Sequence, residues 1–258
     1  MNYIHRTVRV AAAAVLAAAM VGCGDDDDSD AGAAGGDVTV FAAASLTDAF
    51  TEIGQAFELN QPDASVTFNF AASSELVAQI DQGAPADVFA SADEANMTKL
   101  TDAGNNGGES RVFATNRLEI IVQAGNPHGI SAVSDLADPD LIVVTCAPEV
   151  PIGAYSAEVL ANAGVEVTPD SLEENVRAVV TKVTLGEADA GVVYTTDVLA
   201  AGDQAEGIEI PADLNVTATY PIAVTRDAPN PRGAAAFVDF VLSPEGQDVL
   251  ERYGFTAP

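Results

Sequence analysis

Val38-Thr-Val-Phe-Ala-Ala-Ala-Ser-Leu-Thr-Asp-Ala-Phe50 carries a strand, a turn and the first turns of a helix in one short run. Val38–Phe41 is β-branched and aromatic with no charge, the pattern of a strand buried on both faces of a parallel sheet. From Leu46 the period changes. Leu46, Ala49, Phe50, Ile53 and Phe57 fall at i, i+3, i+4, i+7 and i+11, which is one face of an amphipathic helix. Ser45 therefore stands at the carboxyl edge of a sheet and at the start of a helix. Unpaired backbone N–H groups and the positive end of the helix dipole meet there, and such a place attracts oxyanions. Helix capping by Ser45 or Thr47 is the better explanation of a single junction of this kind, so the case for a site needs the arrangement to recur.

The arrangement recurs. Val66-Thr-Phe-Asn-Phe70 alternates as a strand and runs through Ala71-Ala72 into Ser73-Ser74-Glu75-Leu76, with Ser73 or Ser74 expected at the cap and a stop at Gly83. Gly83-Ala-Pro-Ala-Asp87 turns into a third strand, Val88-Phe-Ala-Ser-Ala92, and Asp93 caps the next helix. Arg111–Ala114 and Leu118–Val122 read as two strands, with a passage between lobes near Thr115–Asn116. Ser134-Asp-Leu-Ala137 reads as a short helix. Leu141–Cys146 is a strand that leads to Ala147-Pro-Glu-Val-Pro-Ile-Gly-Ala-Tyr155. Pro151 suits a first helical position, because its missing N–H would be unpaired there anyway. That leaves the amides of Ile152, Gly153 and Ala154 to face outward. Glu173-Glu-Asn-Val-Arg177 opens a further helix that runs to about Gly186. Ala190-Gly-Val-Val-Tyr194 is a strand ending in an aromatic hydroxyl, and Thr195-Thr-Asp197 caps the helix after it. Val216–Tyr220 and Ile222–Val224 read as strands, and Gly233–Leu242 and Pro244–Tyr253 as helices. Strands alternating with helices give right-handed βαβ units.

Composition narrows the function. The chain has 39 acidic and 10 basic residues, a net charge of −29. No basic patch can neutralise phosphates, so nucleic acid is excluded as a partner. Residues 1–23 read as an export leader: Arg6 and Arg9 precede the apolar run Val10–Val21, which is too short to span a bilayer. Met20-Val21-Gly22-Cys23 resembles a lipobox, whose cysteine becomes a lipidated N-terminus at the outer face of the cell membrane. Residues 24–36 form an acidic, flexible linker with no calcium-loop spacing. Beyond the leader, 8 basic and 39 acidic residues leave a net of −31. Cys146, in an apolar strand, has no partner for an intramolecular disulfide. His128 is the sole histidine past the leader, so a His/Cys metal cluster is excluded by count.

Taken in order, Val40-Phe-Ala-Ala-Ala-Ser-Leu-Thr47, Phe70-Ala-Ala-Ser-Ser74, Gly83-Ala-Pro-Ala-Asp-Val-Phe89, Val150-Pro-Ile-Gly-Ala-Tyr155, Val176-Arg177, Gly191-Val-Val-Tyr194 and Arg252-Tyr-Gly-Phe255 resemble the periplasmic molybdate-binding proteins that feed ABC importers. The resemblance implies an α/β fold of the periplasmic-binding-protein kind (type II-like). It has two lobes, each a mainly parallel sheet flanked by helices, with the ligand in the cleft between them. Residues 37–115 and 222–258 would form the first lobe and 116–221 the second. It further implies oxyanion contacts from Ser45 and Ser73 (hydroxyl and backbone N–H), the amides of Ile152 and Val176, and the Tyr194 hydroxyl. Molybdate or tungstate would be the cargo, molybdenum being bound only as its oxyanion. An ABC permease would be the membrane partner, the protein would be a monomer, and no cofactor is implied. Two positions depart from the family: Ile152 stands where alanine is usual and Ala72 where serine is common.

The residue chemistry agrees. A tetrahedral oxyanion presents four acceptor oxygens, and neutral donors can satisfy them with charge-assisted bonds of roughly 1.5–3 kcal/mol each, with no lysine or arginine. Carboxylates beyond a Debye length of about 8 Å are largely screened, so an acidic protein can hold a dianion provided that Glu75, Glu149 and Glu174 point away. Sulfate- and phosphate-binding proteins share the fold and are the main alternative, a phosphate site commonly adding an Asp or Glu to accept the ligand's proton. Ferric iron would want tyrosinate pairs, and no Tyr-Tyr occurs. A cation site could use Asp93 and Asp197, but both stand at helix starts and read better as caps. A serine hydrolase would need a base near Ser45 or Ser73, whereas there is no Gly-x-Ser-x-Gly and His128 lies in a loop, Gly125-Asn-Pro-His-Gly129. A surface-adhesion module leaves the serine-led helix starts unexplained.

Overall fold

The structure, a computed structural model, describes residues 35–258. The leader, Cys23 and the linker up to residue 34 lie outside the described residues. Strand β1 (Gly36–Ala43) pairs in parallel with β2 (Ala64–Ala71) on one side and β3 (Val88–Ala90) on the other. Helices α1 (Thr47–Asn60), α2 (Ser73–Asp81) and α3 (Glu94–Asp102) follow these strands in turn. The α1 face read from the sequence is the buried one: Leu46, Ala49, Phe50, Ile53 and Phe57 are each at most 1% exposed. Phe50 lies against Phe113 and Phe237 at ring-centre distances of 5.6 and 6.1 Å. Burial of one such side chain is worth about 1.5–3 kcal/mol. Gly54 makes room for this cluster, because a Cβ there would sit 2.7 Å from the Phe68 ring.

The second group of strands repeats the plan. β5 (Val143–Cys146) pairs in parallel with β6 (Ser171–Glu173) and β7 (Ala190–Tyr194). Helices α4 (Pro151–Ala163), α5 (Val176–Leu185) and α6 (Thr195–Ala201) follow them. Two antiparallel strands connect the groups. β4 (Arg111–Gln123) pairs with β9 (Thr217–Val224) through Arg117, then with β7 from Leu118. The order is β2-β1-β3-β9-β4-β7-β5-β6, with β8 (Ala205–Glu209) on the free side of β4's second half. The sheet is thus mixed: parallel in its β–α units and antiparallel where β4, β8 and β9 join them. Helices α7 (Pro231–Val241) and α8 (Pro244–Arg252) return to pack beside β1, β9 and α1.

Several elements differ from the sequence reading. The two strands read at 111–114 and 118–122 are one, bent by an irregularity between Val112 and Ala114. The strands on either side of Pro221 are also one. The Pro221 carbonyl accepts from Ser91 N–H at 2.9 Å just past the end of β3, so the N–H that proline lacks falls where that ladder stops. Glu173 is the last residue of β6, and α5 begins at Val176. The short helix near Ser134 is a 3-10 turn, Val133–Ala137. Strand β8 had no signal. Cys146 is buried in β5 as expected. No described helix is long and apolar enough to cross a membrane.

Candidate functional site

One small cavity, with about 20 Å³ open to the centre of a water molecule, lies between the two strand groups. Ser45, Ser73, Ile152, Val176 and Tyr194 all line it. Each follows or ends the carboxyl end of a parallel strand: β1, β2, β5, β6 and β7 respectively. In open α/β sheets that edge is where ligands bind, because helix N-termini and loop amides converge on it.

The two serines are not caps. Ser45 sits in a 3-10 turn, Ala44–Leu46, between β1 and α1, and neither it nor Thr47 accepts a hydrogen bond from the amides of α1. Thr47 Oγ1 instead donates to Ala44 O at 2.7 Å. The Ser45 hydroxyl pairs with the Tyr220 hydroxyl at 3.1 Å, fully buried. Ser73 is the first residue of α2, whose cap position is Ala72 with no side-chain cap bond, so the expected serine cap is corrected. Ser73 Oγ accepts from Ala92 N–H at 3.0 Å. With that bond in place, the Ser73 proton remains to be donated elsewhere.

The three positions of the second group follow from helix geometry. Pro151 opens α4 as its first residue, so the Ile152 and Gly153 amides have no upstream carbonyl. The Ala154 amide, expected to be free, donates to Val150 O at 3.1 Å and starts the helical ladder. In α5 the Asn175 side chain caps Ala178 N–H at 3.1 Å, which leaves the Val176 amide at the first helical position without a helical acceptor. Tyr194 ends β7 with its ring 1% exposed, and its hydroxyl makes no hydrogen bond to any protein group. Burial pushes its pKa well above the ordinary tyrosine value, so the phenol keeps its proton and acts as a donor.

No charged side chain lines the cavity. Glu75, Glu149 and Glu174 are exposed and off its wall, as expected. The departures at Ala72 and Ile152 both line it: one contributes a methyl group and the other a buried aliphatic chain.

Three groups at the site were not read from the sequence as parts of it. Tyr220, from β9, meets Ser45 and packs edge-on against Tyr194 at 5.8 Å. Its place depends on β9 returning between the two groups, which no local pattern shows. Arg177 and Asp197 lie just behind the wall. Asp197, the third residue of α6, accepts Tyr194 N–H at 3.2 Å through Oδ2, consistent with its reading as a cap. Its Oδ1 makes no hydrogen bond, the Arg177 Nε being 3.8 Å away, an ion pair without a bond. Desolvation raises the Asp197 pKa from 3.8 to about 7, with Arg177 and the Tyr194 amide opposing and Asp48 adding to the rise. The folded state therefore holds a proton that the unfolded chain has lost between pH about 4 and about 7. Stability from this group is full below that window and is lost as pH climbs through it. An Asp197→Asn variant should gain on the wild type across that window, as read by denaturant unfolding at stepped pH; parallel stability curves for the two proteins would contradict it.

Among known proteins, the family model described as bacterial extracellular solute-binding protein matches residues 38–256. The chain belongs to that family. It is 42% identical over 221 residues to the molybdate-binding protein ModA of Mycobacterium tuberculosis, covering 86% of this chain and 85% of that one. Two solved structures share the fold. The periplasmic molybdate-binding protein of Azotobacter vinelandii superposes with a TM-score of 0.75 at 20% identity, covering 86% of this chain and 99% of that one. The sulfate-binding protein SubI of Mycobacterium tuberculosis superposes with a TM-score of 0.78 at 19% identity, covering 86% of each chain. Identity that low speaks to architecture alone, and the architecture serves more than one oxyanion.

Proposed function

We propose that this protein captures molybdate, or the isosteric tungstate, outside the cytoplasm and delivers it to an ABC permease. The observation that carries the reading is the Tyr194 hydroxyl, buried, protonated and unpartnered, on the wall of a cavity that Ser45, Ser73 and the amides of Ile152 and Val176 also line. A set made of donors with no carboxylate repels cations and suits an anion of a few heavy atoms; at about 20 Å³ the cavity is far smaller than the roughly 300–1,000 Å³ of ordinary organic-ligand sites. Hydrogen phosphate would bring a proton with no carboxylate to receive it. The sulfate reading draws on fold likeness alone, whereas the molybdate reading draws also on a 42% identical relative.

In this reading residues 37–115 with 222–258 and residues 116–221 are two lobes that close on the ion about β4 and β9. A lipid on Cys23 tethers the monomer to the membrane. Binding without catalysis accords with the partners of the serines: Ser45 meets a tyrosine, Ser73 meets an amide, and His128 pairs with Asp189 at 2.9 Å. Calorimetric titration of the leaderless protein with molybdate, tungstate, sulfate and phosphate tests the proposal. Tight binding of the first two is expected. Silence with both, together with heat from sulfate, would overturn it.

A further inference from the structure

Arg177 is the second residue of α5 and the chain neighbour of Val176. Its guanidinium pairs through Nη2 with the Asp48 carboxylate on α1. Its Nε donates to Ala44 O, one residue before Ser45, at 3.4 Å, and lies 3.8 Å from Asp197, the acceptor of the Tyr194 amide. One side chain therefore holds the segment that carries Ser45 in the first strand group and the segments that carry Val176 and Tyr194 in the second. Neither Arg177 nor Asp48 lines the cavity.

We propose that Arg177 is a positioning residue that clamps the two donor sets together from outside the cavity, and so governs how long the bound oxyanion stays. The inference rests on the function proposed above and deepens it. The guanidinium is suited to the task because its planar fork reaches acceptors in several directions, where an ammonium is a single point charge. It also sets a positive charge 3.8 Å from Asp197, a buried carboxylate behind the wall. The side chains of Arg177 and Asp48 are 32% and 44% exposed, so their link is screened by salt and modest in strength. An exposed pair of that kind adjusts a release rate and adds no anion selectivity, which stays with the uncharged wall.

The test is the release of radiolabelled molybdate from preloaded leaderless protein, chased with unlabelled molybdate at low and high salt. Asp48→Asn should speed release by about threefold to fivefold at low salt, with the gap closing as salt rises. Arg177→Met should speed it by about tenfold or more, since it removes the bond to Ala44 O as well as the pair with Asp48. Arg177→Lys should fall between wild type and Arg177→Met. Adding Asp48→Asn to Arg177→Met should change nothing further, because the partner is already gone. Should Arg177→Met not fold, Asp48→Asn and Arg177→Lys decide the matter alone. Wild-type release from Asp48→Asn at low salt, or variants whose empty forms melt lower while release is unchanged, would overturn the clamp and leave the proposed function standing. A wild-type protein that retains no label would overturn that function, and the clamp with it.

Discussion

Tyr194→Phe should weaken molybdate binding by about 1.5–3 kcal/mol, roughly ten- to hundredfold, without destabilising the empty protein. The two halves of this expectation have one cause. The hydroxyl is buried and makes no hydrogen bond within the protein, so its removal breaks none. A buried polar group without a partner costs free energy, so the melting temperature of the empty variant should hold or rise. When the anion enters, that same hydroxyl is a neutral donor facing a charged acceptor away from water, where such bonds are strongest. Titration and thermal denaturation of the same preparation check both halves. A variant that binds as tightly as the wild type would remove Tyr194 from the site, and one that melts far lower would make it a packing residue.

Gly153→Ala should damage stability and binding together. A Cβ at Gly153 would come within 2.1 Å of Ala147 O and 2.7 Å of Cys146 O, backbone atoms at the end of β5 and the turn leaving it. Neither carbonyl can swing aside as a side chain could, so the first turn of α4 must move off the sheet. Overpacking of this kind costs about 1–3 kcal/mol or more. The Ile152 amide travels with that turn and loses its aim, and misplacement by about 1 Å in a preorganised site is commonly worth tenfold to a hundredfold. Denaturant unfolding should register the first effect and molybdate titration the second. Unchanged values in both would show that α4 tolerates the extra methyl group and that its docking does not place the amide.

Much of this arrangement was legible in the chain because it is local. The α1 face follows from a 3.6-residue period, and the four strand ends that carry Ser45, Ser73, Ile152 and Tyr194 follow from changes of period at short range. What escaped depends on distant partners. Pro221 looked like a break between strands, but its missing N–H lies where β3 has already ended. Glu173 and Glu174 looked like a helix start because acids favour the first turn; instead Glu173 pairs in β6 beside Cys146, with its carboxylate held by Lys182 at 2.6 Å. Ser45 and Ser73 had the residue type and position of caps, and only their partners, Tyr220 from β9 and the amide of Ala92, show that they are not. Tyr220, Arg177 and Asp197 owe their places at the site to strands and helices far apart in sequence, which periodicity cannot bring together.

The most direct measurement is a crystal structure of the leaderless protein grown with molybdate, with the molybdenum located by its anomalous signal. The account predicts the metal between the two strand groups, its oxygens about 2.7–3.1 Å from the hydroxyls of Ser45, Ser73 and Tyr194 and from the amide nitrogens of Ile152 and Val176. Molybdenum found elsewhere, or oxygens held by lysine or arginine, would contradict it.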